Sequence, residues 1–445
     1  MSELLLLVFP VVAFYALTAG IHFGQFSAIS LFVYANATMA AGTVPSLDPS
    51  IAADHVHALL VSLTLLTIVG TAFVASVTQR RASRASFRPS LEFSLPQPSV
   101  ALWIVISIAI TALYYVNVGY LAFFESLRAL AGSTDTDFAA LRLESYAGSR
   151  YFFPGYVNQF KNALLPALTI AVLVSAHHLR ARGRVMTTAL LLPIALLALL
   201  GTGQRGAFVL ALGVAVVAAS LIAPGSFRRN AFRIGLLGLG LFFLTTIASG
   251  RATTALRTAE GIGGQIGVLF DQLAFRLLGS NQLSSVVGFR YVHETDVPFA
   301  SEWAASIIGL LPGLPGSDLS NRIFAMLYGS SRGTAPLSLW GSAYHNVGMP
   351  GAVVLAAVIA IALCAIATKI NATANSNLIE LVGMAGVTVT LGTWIADGPV
   401  APINAGLAVY VLLWLWGSRL ARGPRAAATR RPMRRSMSVS RRLDE

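Results

Sequence analysis

Apolar runs of membrane-crossing length recur along nearly the whole chain, and they constrain its fold more than any motif does. A helix needs roughly 20 mostly apolar residues to cross the hydrocarbon layer. Inside that layer only helices and closed barrels satisfy their own backbone. Such runs fall at about 4–22, 26–44, 56–77, 99–120, 162–179, 186–201, 206–223, 232–249, 336–367, 378–396 and 401–418. The expectation is an all-α polytopic membrane protein with about 11 transmembrane helices, within a range of 10–12. The run 336–367 exceeds one crossing and leaves room for a re-entrant or interfacial piece ahead of it. Composition agrees, with only 11% charged residues against about 25% in soluble domains. The single cysteine, Cys364, excludes disulfides and cysteine-based metal sites within the chain. The first run has neither a preceding basic region nor a small-residue cleavage site, so it reads as a retained helix rather than a signal peptide.

The net charge of +13 would suggest nucleic acid if the basic residues shared one soluble face. They fall instead in short runs between apolar segments, the pattern of membrane topology, and no nucleic-acid partner is expected. The runs 79–88, 179–184 and 227–233, with Lys369 and the arginine-rich tail 419–445, all lie on one side of the alternating spans. By the positive-inside rule that side is cytoplasmic, including the C-terminus. Most carboxylates fall on the other side. Four regions follow: N-terminal transmembrane helices over 1–249 with an outer loop near 121–160, a large outer loop over 250–335, C-terminal transmembrane helices over 336–418, and the basic tail 419–445. Amphipathic stretches at 264–279 and 319–327 predict a small helical outer domain on the membrane surface. The tail reads as a segment near anionic lipid heads.

The turn "GTGQRG" places Arg205 at the outer boundary between two spans joined by almost nothing. A guanidinium among glycine-exposed amides suits a phosphate. An arginine snorkelling to headgroups is the plain alternative. Arg142, Arg150, Arg251, Arg257, Arg276, Arg290, Arg322 and Arg332 also lie outside, against the expected bias. Arginine rather than lysine suits bidentate binding of phosphate or diphosphate, although outer carboxylates must claim some of these cations. "PLSLWGSAYHNVGMPG" leads back into the membrane and offers Tyr344, His345 and Asn346 at the outer lip. A lone histidine is more often structural than catalytic, but the position of this one beside the outer arginines raises the expectation, because an imidazole can titrate near neutral pH. "FRYVHETD" (289–296) is a further place for a general base. "TDTD" (134–137) has the spacing of a metal-holding DxD, and "DHVH" (54–57) places two histidines two apart; neither context supports a metal, and none is expected. No P-loop, Rossmann fingerprint, HExxH or GxSxG appears in a supporting context.

Residues 199–360 resemble the bacterial polysaccharide polymerase and ligase superfamily: O-antigen polymerases of the Wzy type, oligosaccharide repeat-unit polymerases and O-antigen ligases. The similarity lies in the "TGQRG" turn, the large late outer loop and the "WGSAYHNVGMPG" return into the membrane. His345–Asn346 is similar to the ligase branch, whereas "VGMPG" is closer to the polymerases. The resemblance implies a GT-C-like polymerase/ligase architecture in the bacterial cytoplasmic (inner) membrane, with the active site facing the periplasm. It implies transfer of a glycan from a polyprenyl-diphosphate carrier to a sugar hydroxyl, without nucleotide sugar, metal or other cofactor. Implied partners are a lipid-linked oligosaccharide donor and acceptor, membrane lipids, a flippase and a chain-length regulator. Arg205 and Arg290 would hold the diphosphate, with His345 and Arg276 near the reacting centre and Arg142, Arg150, Tyr344, Asn346 and Arg322 binding substrate. The alternatives are a ligase acting on a lipid or protein acceptor and, from another class, a polysaccharide transporter or lipid flippase. A transporter should carry polar residues deep within its spans, and these spans carry few charges.

Overall fold

The structure, a computed structural model, describes residues 2–79, 90–130, 141, 144, 155–223, scattered positions between 233 and 246, and 253–295, 297–330, 333–373 and 375–421. The N-terminal part holds α1 (Ser2–Leu17), α2 (Ala19–Phe23), α3 (Ala28–Thr43), α4 (Ala52–Gln79), α5 (Gln97–Val118) and α6 (Ala122–Leu130). Next come α7 (Tyr156–His178), α8 (Arg184–Leu200) and α9 (Arg205–Ile222). The large loop folds, where described, into α10 (Thr253–Thr258), α11 (Gly261–Leu278), α12 (Ser280–His293), α13 (Ser301–Ile308) and α14 (Leu319–Tyr328). The chain ends with α15 (Leu339–Asn371), α16 (Leu378–Gly392), α17 (Val400–Asn404) and α18 (Leu407–Ala421).

Among the described residues, five helices, α4, α5, α7, α9 and α15, are long and apolar enough to cross a membrane. Shorter apolar helices cover Leu7–Leu17, Arg184–Leu200, Leu378–Gly392 and Leu407–Leu420. The expected span at 26–44 corresponds to the 16-residue α3, while 232–249 is described only in part. Two three-residue strands depart from the all-α expectation: β1 (Ser90–Glu92) pairs in parallel with β2 (Asn375–Asn377). Both are connectors emerging beside each other, and pairing satisfies backbone groups that neither could satisfy alone. Asn377 ends β2 and starts α16: its side chain accepts from the Glu380 N–H and donates to the Gly417 carbonyl at 2.8 Å.

Helix α16 is the centre of the second core, buried at nearly every position. It packs antiparallel to α18 at close range, because Gly383 leaves no room for a Cβ against the Trp414 backbone. Between apolar helices in lipid, close approach of this kind supplies the packing energy that hydrophobicity cannot. The first core joins α1, α3, α4, α12 and α15. Helix α15 is broken at Gly348, whose φ of 70° and ψ of 179° are not helical. Pro350 then sits in the first turn after the break, where its missing N–H costs nothing.

The bundle has two ends with different chemistry. At one, Thr368 donates to Gln79, Ser175 donates to the Phe93 carbonyl at 2.7 Å, and His178 stacks on Phe93. Asn371 reaches the Phe23 carbonyl there, and Lys369 lies over Trp414. Gln79, the turn 179–184 and Lys369 lie at this end. At the other end Arg290 meets Asp54, Leu339 N–H donates to the Ile395 carbonyl, Tyr156 donates to the Leu310 carbonyl and Gln159 to that of Ile403.

Candidate functional site

The candidate site is built where α12, α13 and the loop 393–399 meet the first turns of α15. Ser338 caps α15 by accepting from the Gly341 N–H, and the Asp397 N–H donates to the Leu337 carbonyl at 2.8 Å. These bonds fix the turn that presents Tyr344, His345 and Asn346.

Asn346 is buried and fully engaged. Its Oδ1 accepts from the Trp303 N–H at 3.1 Å, and its Nδ2 donates to Glu302 Oε2 at 3.1 Å and to the Ser342 carbonyl at 2.9 Å. Trp303 Nε1 donates to Ser342 Oγ, and Gly398 lies so close to the Trp303 ring that a Cβ would clash with it. Ala300 and Asp397, on the two loops that close this cluster, both hold left-handed backbone (φ 56° and 55°). Such conformations cost about 1 kcal/mol or more in a non-glycine residue and tend to gather at functional sites. Burial raises the Asp397 carboxyl to about 7, and the nearby Glu302 charge adds to the rise.

His345 is half-buried, with Glu302 and the Val292 backbone as its polar surroundings. Its Nδ1 is buried with no hydrogen-bond partner among the described residues. A buried polar atom left in that state costs about 1–3 kcal/mol, so the lone pair is a candidate acceptor for an incoming hydroxyl. Tyr344 turns toward α12, where its hydroxyl lies 3.0 Å from His293 Nδ1 and its ring packs on Phe289. Phe289 also stacks on the buried His57 at 4.5 Å, which joins α4, α12 and α15 through aromatic contacts.

Arg290 lies on the same helix. Its Nε and Nη2 donate to the two oxygens of Asp54 at 2.8 and 2.6 Å, and Nη2 also faces the Ser46 carbonyl. The Asp54 hydrogen bond raises the guanidinium above its ordinary value, so it is cationic at any working pH. Asp54 is itself buried and accepts from the Asp48 N–H. Asp48, kept acidic by donors from Ser50, adds to the negative charge facing Arg290. The bidentate fork expected to take diphosphate therefore holds a carboxylate, leaving Nη1 as the available edge. Arg322 donates to Tyr291 at 3.2 Å and to Asp318 at 2.9 Å, which raise its basicity further.

Arg205 is held by other elements. It opens α9, its Nη1 donates to Thr246 Oγ1 at 2.7 Å, and the guanidinium lies over the Phe242 ring at 5.8 Å. The turn before it needs Gly203, whose φ is 70°. Arg142 and Arg150 lie outside the described residues, as do Arg251 and Arg332. Position 276 falls on α11, but its side chain is outside what is described. Thus Arg290, Tyr344, His345, Asn346 and Arg322 cluster around α12 and α15, whereas Arg205 stands on the α8–α9 turn.

Sequence reasoning missed Glu302, Asp397, Asp54 and Lys161 as parts of this arrangement. Asp397 carried a signal, as a lone carboxylate in "ADGPV" between two apolar runs. Lys161 carried another, as one of only two lysines, and it is fully buried. Comparison with protein-family models, with curated proteins and with solved structures finds no match to this chain.

Proposed function

We propose that the chain is a membrane glycosyltransferase that polymerises polyprenyl-diphosphate-linked oligosaccharide repeat units into a surface polysaccharide. It would work at the outer face of the bacterial cytoplasmic membrane, in a GT-C-like fold of about eleven spans. The observation that carries this reading is the buried, unpartnered Nδ1 of His345 beside Glu302, at the bundle end that also holds Arg290. In the transfer, the acceptor hydroxyl oxygen attacks the anomeric carbon and its proton passes to His345 Nδ1. The anomeric C–O bond to phosphate breaks, and its electron pair leaves on the diphosphate. Preorganised cations stabilise that developing charge, a role assigned to Arg205 and to the Nη1 edge of Arg290. A positioned base adds about 10²–10⁴-fold.

The test is transfer between purified lipid-linked donor and acceptor, with chelator present. Arg205→Lys should keep folding but lose at least roughly tenfold in transfer, about 1.4 kcal/mol of transition-state stabilisation, because lysine lacks the planar fork. His345→Ala should impair transfer with less effect on donor binding than Arg205→Ala. Full activity in both Arg205 variants would return this residue to a headgroup contact. Chain growth in the product supports a polymerase; a single transfer to a lipid or protein acceptor would mark a ligase.

A further inference from the structure

Lys161 lies on a π-helical turn, Gln159–Leu164, inside α7, and its side chain has no exposed surface. Its ammonium donates to Asn162 Oδ1 at 2.9 Å and to the Ala198 carbonyl at 3.4 Å, and lies over the Tyr114 ring at 5.3 Å. No carboxylate among the described residues pairs with it. A buried ammonium with only neutral partners is costly to fold around, and π-turns of this kind concentrate at functional sites. Ala198 belongs to the last turn of α8, three residues before Gly201. The other carbonyls there are also gripped from outside α8: Leu197 by the Tyr115 hydroxyl at 3.1 Å and Gly201 by the Phe123 N–H at 3.4 Å. Gly201 sits so tightly on Tyr115 that a Cβ would overlap its hydroxyl. Three separate elements therefore clamp the platform from which the Arg205 turn departs, and one of the clamps is a cation.

We propose that Lys161 is a positioning residue for a diphosphate-binding site at Arg205: it fixes the end of α8 and adds positive potential beneath the turn. This rests on the reading of Arg205 given above. A lone ammonium buried under that turn lowers the stability of the empty protein, and a bound dianion offsets the loss.

The full chain in lipid nanodiscs, with inorganic diphosphate as the probe, tests this by thermal unfolding and by donor kinetics. Lys161→Met should leave the unfolding midpoint without ligand unchanged or higher. It should weaken diphosphate stabilisation by roughly tenfold in affinity and raise the donor KM with little change in kcat. Lys161→Arg should restore most of the affinity. Normal diphosphate affinity and donor KM in Lys161→Met, with both lost in Arg205→Ala, would overturn the inference and leave the Arg205 site standing. Normal binding in both variants would remove the Arg205 reading itself. If Lys161→Met does not fold, Lys161→Gln decides by the same measurements, and failure of both to fold assigns Lys161 a purely structural role and ends the proposal.

Discussion

The two ends of the bundle are held together by different means. At the basic end the contacts are neutral or aromatic: a threonine on a glutamine, a serine on a carbonyl, histidine on phenylalanine, lysine on tryptophan. At the other end a carboxylate lies beneath an arginine fork, two carboxyls face one cluster, and a histidine nitrogen lacks a partner among the described residues. The first end buries Glu380 but keeps its described basic residues, Arg180, Arg182, Arg184 and Lys369, exposed. The second draws charged residues into its structure at a cost in stability. The proposed chemistry uses the second end.

The largest test of this contrast is all-or-none. In a Cys364→Ser background, a cysteine at Ser280 should be labelled by a membrane-impermeant reagent from outside intact cells, and one at Arg180 only after the cytoplasmic side is opened. The reverse pattern would invert the two ends. Next comes the buried pair: Asp54→Ala leaves Arg290 without its counter-ion. Breaking a fully buried pair costs about 3–5 kcal/mol; because the Arg290 side chain is 33% exposed, the expected loss is about 2 kcal/mol, read by thermal unfolding. An Asp54→Leu, Arg290→Met double variant should recover most of it.

A third test concerns Asp397. A carboxyl whose folded value is raised to about 7 binds its proton more tightly when folded than when unfolded. Its contribution is present at low pH and is lost as pH rises from the ordinary carboxylate range, about 4, toward 7. The unfolding midpoint should therefore fall between pH 6 and 8 by the equivalent of about 1.4 kcal/mol, one pKa unit. Asp397→Asn should flatten that limb and be the more stable protein at pH 8; an unchanged slope would remove Asp397 as its source. The smallest effect belongs to the basic end. Phe93→Ala should cost about 1 kcal/mol of stability through the lost His178 stack and leave transfer untouched.

Hydropathy made the long helices legible, because a run such as 52–79 has no alternative in water or lipid. The pairing of β1 with β2 was not legible, because neither three-residue segment carries a strand pattern. The Asp54–Arg290 pair was not legible, since its partners are 236 residues apart and each looked like an ordinary outer charge. Asn346 stood out by motif, but its engagement by Trp303 and Glu302 depends on how α13 folds back over α15. The burial of Lys161 depends on α5 and α8 closing around a π-turn, which no local pattern encodes.

The break at Gly348 also acts as a ruler. From Met349 to Asn371 the helix has 23 residues, about 35 Å at 1.5 Å per residue. The hydrocarbon layer is about 30 Å thick, so the stretch after the break is sufficient by itself to cross it. The turns before the break are then not needed for the crossing. In the proposed reaction, a sugar hydroxyl would then meet His345 without shedding its hydration in oil, and a polyprenyl tail would stay dissolved while its polar head reacts above. Lengthening the helix below Gly348 by one turn would shift the histidine by about 5 Å and separate it from Glu302 and the Val292 backbone.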